Sequence, residues 1–196
     1  GLYVTAEVTP HHLTLTEDRV MGPPAYDTSA KMNPPLRTRK DIAALIRGLQ
    51  DGTIDAIATD HAPHAPAAKL CEFAQAAFGI GGLETALGSL LALVRSDDID
   101  LMTLVSKLTL EPAAIIGARE MGNLRAGTPA DLAIFDPQAQ WLVDPEAFVS
   151  RGRNTPLAGR MLTGKVMATI YAGNLAFKDD SLPLEVKKAR QAGMQR

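Results

Sequence analysis

The chain has 196 residues, 46% of them hydrophobic and 21% charged, with a formal net charge of −2. That is the composition of a globular chain able to bury a core, and a balance so near neutral gives no electrostatic basis for nucleic acid or an anionic membrane as partner. Aromatics at 5% offer no stacking platform for single strands, and the one cysteine, Cys71, excludes an internal disulfide and suits a cytoplasmic setting.

No apolar run approaches the roughly 18–20 residues that a bilayer span needs. The chain opens without a methionine, directly in β-forming residues, and with neither the basic nor the apolar region of a signal peptide. The expectation is a C-terminal portion of something longer.

Residues 2–9 alternate and are rich in β-formers (Tyr3, Val4, Thr5, Val8, Thr9), stopping at Pro10. From His11 to Arg37 the chain is polar and punctuated by Pro23, Pro24, Pro34 and Pro35. No helical period shows there, so a long loop is expected, of a length that is usually functional or disordered. Thr38 then offers an N-cap with Asp41 three residues on, and Ile42, Leu45, Ile46 and Leu49 follow at helical spacing before Gly52.

A buried strand is expected over 54–59, then a loop over 60–82 ending in Gly79-Ile80-Gly81-Gly82. Leu83–Val94 reads as an apolar helix, Asp100 as the cap of another, and Glu111-Pro112 as the start of a third. Near Gly122 the character changes to Gly, Pro and short β-runs at 132–135, 141–143 and 166–171. The charged tail after Lys178 is expected to be a surface helix. Strand–helix–strand–helix order to about residue 118 fits (β/α) units around a parallel barrel. Two such strands cannot close one.

The chemistry concentrates in Thr59-Asp60-His61-Ala62-Pro63-His64, just past an apolar strand. The chain has four histidines, two of them here and two adjacent at His11 and His12. An acid at a strand end with histidines beside it suits metal-assisted hydrolysis, where a carboxylate can ligate metal and move a proton. A lone aspartate after a strand more often satisfies loop amides; its neighbours favour a site. His64 can contact substrate or bind metal, and substrate is the favoured reading because Pro63 breaks any helical pair with Asp60.

His61 points elsewhere, and a structural role for its ring is at least as well supported. Of His11 and His12, at most one can face a site. Asn33, held between Lys31-Met32 and two prolines, presents a donor and an acceptor suited to an amide or ureido group. Phe78-Gly79 can bring backbone close to a ligand.

Val8-Thr9-Pro10-His11-His12-Leu13, Lys31-Met32-Asn33-Pro34-Pro35-Leu36-Arg37, Ala58 through His64 and Phe78 through Thr85 together resemble the C-terminal half of a class I dihydroorotase, an amidohydrolase-superfamily enzyme of pyrimidine biosynthesis. Gly127 through Leu132 and Arg153-Asn154-Thr155-Pro156 resemble that family's C-terminal sheet module, and the likeness runs to about Phe177. The resemblance implies an α/β fold: the C-terminal part of a metal-dependent hydrolase TIM (β/α)8 barrel, its last two strands and helices, plus part of a small β-sandwich module. Residues 1–120 would be barrel, 121–178 the β-rich module and 179–196 a charged tail.

The implied reaction is the reversible, zinc-dependent cyclisation of N-carbamoyl-L-aspartate to L-dihydroorotate. Asp60 would be both metal ligand and acid/base, Asn33 and His64 would touch substrate, and Phe78 and Gly79 would hold its ring. One or two zinc ions, and a homodimer or an association with aspartate transcarbamoylase, are implied as well.

The family's His-x-His, its bridging carboxylate or carboxylated lysine, two further histidine ligands and its substrate arginine belong upstream of the matched motifs. A catalytic zinc takes about three protein ligands, so the 196 residues alone are expected to be inactive. Hydantoinases and allantoinases share the aspartate but generally lack the second histidine, so His64 favours dihydroorotase. A non-catalytic dihydroorotase-like partner of aspartate transcarbamoylase is the rival of another class; Asp60, Asn33 and His64 argue against it.

Overall fold

A computed structural model describes residues 2, 4–22 and 25–183. Strand β1 (Glu7–Val8) pairs in parallel with β2 (Ala56–Ile57), Glu7 opposite Ala56 and Val8 opposite Ile57. Of the strands expected over 2–9 and 54–59, only Glu7–Val8 and Ala56–Ile57 form a ladder among the described residues, where each has one paired neighbour. An isolated parallel bridge between His61 and Ile80 continues the β2 side. No closed barrel forms among the described residues.

The stretch expected as one long loop carries helices α1 (Pro10–Thr14) and α2 (Asp18–Met21) and a 3-10 turn at Thr28–Ala30. Helices of four or five residues complete about one turn, so no periodicity was there to read. Thr9 starts α1 by accepting the His12 N–H on its hydroxyl, with Pro10 in the first turn, where a missing N–H costs nothing.

Helix α3 (Arg39–Asp51) has the anticipated capping box between Thr38 and Asp41 and ends at Gly52 with φ 81°. Helix α4 (Ala86–Arg95) begins three residues later than expected, leaving Leu83 exposed. The Asp100 carboxylate caps α5 (Leu101–Leu108) by accepting the Thr103 N–H at 2.9 Å, and α6 (Leu110–Ile115) follows directly.

Val8, Leu13, Ile46, Leu49, Ile54, Ile57, Leu90, Leu91, Leu93, Ile99 and Leu104 form one core between the two parallel strands and helices α1 and α3–α5. Lys107 reaches into it from α5, donating to the Ile54 carbonyl at 2.7 Å while pairing with Glu111 at 2.7 Å. A buried ammonium is tolerated there because both contacts are charge-assisted.

Beyond residue 122 a three-stranded antiparallel sheet, in order β3 (Leu132–Leu142), β4 (Met161–Tyr171), β5 (Asn174–Lys178), replaces the separate β-runs. The run 132–135 and all but Val143 of the run 141–143 belong to a single strand interrupted by register shifts around Asp136. Asp136 accepts the N–H groups of Gln138 and Ala139, which absorbs Pro137 into a bulge. No second sheet that would make a sandwich is present among the described residues.

The sheet rests on α4. Gly88 lies so near the Gly164 carbonyl that a Cβ would meet it at 3.1 Å, and Arg95 donates to the Thr163 carbonyl at 2.9 Å. The helix expected after Lys178 falls largely outside the described residues. Among those described, no helix is long and apolar enough to cross a membrane.

Two substitutions check this account of α3 and the core. Thr38→Ala should cost about 1 kcal/mol by removing the cap, whereas Leu104→Ala, at a fully buried position, should cost about 2–5 kcal/mol. Urea unfolding would read both. A cost for Leu104→Ala no greater than that for Thr38→Ala would contradict the core assignment.

Candidate functional site

Five segments converge beyond the carboxyl ends of β1 and β2: 9–12, 31–34, 60–64, 78–83 and 150–156. Asn154 joins three of them. Its side chain is buried, and its Oδ1 accepts the His64 N–H at 2.8 Å. Its Nδ2 donates to the carbonyls of Ala62 at 2.9 Å and Gly79 at 3.2 Å, and its own carbonyl accepts the Gly81 N–H at 2.8 Å. One amide therefore satisfies backbone groups of both loops that would otherwise be buried without partners.

The loops also touch directly. The His64 Nε2 lies 2.8 Å from the Phe78 carbonyl, which can only accept, so Nε2 carries the hydrogen. The other ring nitrogen, Nδ1, has no partner among the described residues and presents a lone pair when the ring is neutral. Gly79 has φ 133°, and a Cβ there would lie 2.6 Å from the Ala62 Cβ and 2.9 Å from the His64 Nε2. Only glycine fits that close crossing. From the sheet side, Gly152 presses on the same loop: a Cβ would meet the Pro63 Cβ at 2.5 Å and the His64 nitrogen at 2.8 Å.

Asp60 stands at the turn out of the β2 segment with φ 47°, a left-handed conformation that aspartate tolerates better than most residues. It is exposed, and its carboxylate meets no donor among the described residues. Asn33 is also exposed. It lies two residues beyond Lys31, whose carbonyl takes the Gly79 N–H at 3.0 Å. In the Phe78-Gly79 pair, then, the Gly79 N–H and both carbonyls are engaged. The Phe78 N–H is the backbone donor left over among the described residues.

The structure thus joins His64, Phe78 and Gly79 directly and ties the 31–34 segment to Gly79 through the Lys31 carbonyl. The exposed side chains of Asn33 and Asp60 make no hydrogen bond to them among the described residues.

The remaining histidines have other duties. The His61 Nδ1 accepts the N–H groups of Gly82 and Leu83 at 3.1 and 3.2 Å, and its Nε2 faces the Ser150 hydroxyl at 3.3 Å. That is a structural role, fixing the glycine-rich turn. His12 is held at both nitrogens, by the Thr9 hydroxyl at 2.7 Å and the Pro34 carbonyl at 2.9 Å, so it ties the Asn33-Pro34 segment to α1. His11 is buried and its Nε2 has no partner. Burial, with the His12 ring beside it, pulls its pKa down to about 3.

Among the described residues, no group of three or more His, Cys, Asp or Glu side chains is placed to hold a metal ion. With His12 and His61 committed at both nitrogens, the open donor atoms among these residues include the Asp60 carboxylate, the His64 Nδ1 and the buried His11 Nε2, which together form no metal-holding group among the described residues. The residues present do not fit a complete zinc centre.

Sequence reasoning missed Asn154 as the organiser, although Arg153-Asn154-Thr155-Pro156 had been singled out as a motif. An asparagine near proline in a polar stretch carries the signature of a turn, and nothing local reveals partners about 75 and 90 residues away.

Residues 4–176 match the profile of the amidohydrolase family. The chain is 50% identical over 178 residues to a dihydroorotase of Desulforapulum autotrophicum, covering 91% of this chain and 41% of that one. It is 49% identical over 180 residues to a dihydroorotase of Geotalea daltonii, again covering 41% of its length. It therefore spans about two fifths of the curated relatives it matches.

Among solved structures, an L-hydantoinase (dihydropyrimidinase) from Arthrobacter aurescens superimposes with a TM-score of 0.81 at 28% identity, over 93% of this chain and 41% of that one. A dihydropyrimidinase from Brevibacillus agri gives 0.81 at 23% identity, over 89% and 39%, a likeness of fold alone. The fold is thus an α/β arrangement related to the amidohydrolase barrels.

The buried His11 sets a pH dependence of stability. Its folded pKa of about 3 lies below the ordinary 6.5, so the unfolded chain takes up a proton that the folded chain refuses. Stability is full above pH 6.5 and falls as the pH drops towards 3. By pH 4.5 the loss from this group should be about 2.5 kcal/mol. Urea unfolding of the wild type and His11→Gln at pH 7 and 4.5 tests this: the variant should lose less on acidification. Equal losses would show that His11 is not the group responsible.

Proposed function

The chain belongs to the amidohydrolase family, and on that footing we propose that it is the C-terminal portion of a dihydroorotase, acting in the reversible cyclisation of N-carbamoyl-L-aspartate to L-dihydroorotate. The observation that carries this reading is the 50% identity to the D. autotrophicum dihydroorotase across 91% of the chain, against 28% to the A. aurescens hydantoinase of the same fold. Residues 1–120 then belong to the barrel, 121–178 to the β-rich module and 179–196 to a tail.

The geometry supports a division of labour. Asp60, exposed and unpartnered at a strand end, is the group to move the proton: it takes it from the attacking water and returns it to the ring nitrogen that leaves. In ring closure the same transfers run backwards. With the His64 Nε2–H held by the Phe78 carbonyl, Nδ1 is left to accept a substrate N–H. The Phe78 N–H is the donor for a ring carbonyl, and Gly79 permits the approach rather than donating itself. This shifts the expected role of Gly79 from contact to clearance. Asn33 supplies a side-chain amide on the other flank.

Zinc, one ion or two, belongs to this reading. In this reading Asp60 is a ligand, and because the described residues do not complete a centre the reading draws the other ligands from outside them. A hydantoin-cleaving activity is the second reading, favoured by the superposition on the A. aurescens enzyme.

In an active protein that contains this segment, turnover of dihydroorotate and carbamoyl aspartate should exceed that of hydantoin and allantoin. The reverse order would select the second reading. Asp60→Asn should lower kcat by roughly 10²–10⁴-fold, the range for a lost acid–base group. The 196-residue chain by itself should show no turnover and no stoichiometric zinc in equilibrium dialysis. Zinc and activity together in that chain would overturn the view that its site is partial.

A further inference from the structure

The side chains of two buried lysines have no role in what has been assigned so far. Lys31 and Lys69 are 8% and 5% exposed, and neither pairs with a carboxylate among the described residues. Their partners are backbone carbonyls. Lys31 Nζ donates to Phe73 at 2.7 Å and Ala74 at 2.9 Å. Lys69 Nζ donates to Ala77 at 2.7 Å and Thr28 at 3.0 Å, with the Lys31 carbonyl at 3.5 Å. The Thr28 hydroxyl returns the contact by donating to the Lys69 carbonyl at 2.6 Å.

The acceptors are not scattered. All of those beyond the 28–31 turn belong to residues 73–77, the far limb of a loop that closes on itself where the Ala77 N–H meets the Ala68 carbonyl at 3.0 Å. That limb runs directly into Phe78-Gly79. Lys31 adds a second hold, with its ammonium 4.5 Å from the centre of the Phe78 ring and 5.4 Å from that of Phe73. Its own carbonyl takes the Gly79 N–H. Burying two like charges 38 residues apart in sequence opposes folding unless something fixes them, and here the carbonyls of one loop do so. Those carbonyls are in turn denied any other arrangement.

We propose that Lys31 and Lys69 are positioning residues that clamp the 66–78 loop and so fix the Phe78-Gly79 backbone against His64. The clamp stands on geometry alone; its consequence for substrate rests on the dihydroorotase reading. The Lys69 ammonium meets only backbone carbonyls and the Lys31 ammonium meets carbonyls and the Phe73 and Phe78 rings, so both act through the loop and not on the reacting atoms.

Lys69→Met keeps the length of the side chain and removes its donors. In the 196-residue chain, hydrogen exchange of peptides covering 66–82 should quicken at least tenfold while α3 and α5 are unchanged. In a dihydroorotase-active protein containing the segment, KM for dihydroorotate should rise about tenfold with kcat within twofold. Unchanged exchange in 66–82, or a fall confined to kcat, would overturn the proposal. Should Lys69→Met unfold the whole chain, Thr28→Val carries the test, since it removes one contact of the clamp and leaves both charges; local quickening supports the clamp and none overturns it. If the loop loosens as expected but no protein containing the segment turns over dihydroorotate, the clamp holds and the assigned activity fails.

Discussion

The side chain of Asn154 is the interaction on which the site depends. Two loops, one leaving the β2 strand and one preceding α4, have to run side by side with their backbone groups turned inward. Such groups cost about 1–3 kcal/mol each when buried without a partner. Asn154 answers three of them from one amide, and its backbone carbonyl answers a fourth. Everything placed by the loops, the His64 ring and the Phe78-Gly79 turn included, inherits its position from that arrangement. The glycines at 79 and 152 are the steric complement: they remove the side chains that would force the loops apart.

Much of this was legible in the sequence. The Thr38–Asp41 box and the Asp100 cap announce helices because their chemistry is local, with donor and acceptor three residues apart. The clustering of Asp60, His61 and His64 is likewise visible without a fold. What could not be read was of two kinds. Helices α1 and α2 are too short to carry a period, so a proline-punctuated stretch looked like plain loop. The distant partners of His12, His61, Lys69 and Asn154 lie from about 20 to 92 residues away and are mostly backbone carbonyls and amides. Every residue has such groups, so no side-chain pattern marks the ones chosen.

The histidines illustrate the difference between residue type and role. Four imidazoles near one strand-end region suggest a metal site, yet His12 and His61 are tied at both nitrogens and His11 is buried with its charge suppressed. His64 keeps its Nδ1 open while the Phe78 carbonyl takes the other nitrogen, whereas the free Nε2 of His11 is shut away by burial. Ring tautomers here are decided by which neighbour can only accept or only donate. A count of histidines measures opportunity; the carbonyls beside them decide use.

The contact of Gly152 and Asn154 with the 60–64 loop has a consequence for how this segment can be varied as a unit. The sequence invites division near residue 122, where helices give way to strands, and a chimera joined there would look conservative. Such a junction would draw the loop from one parent and its bracket from another, across a contact too close to admit a single extra methyl group. Successful recombinants of this segment should therefore inherit 60–82 and 150–156 from the same parent. The unit of exchange is defined by that shared seam and not by the change in secondary structure.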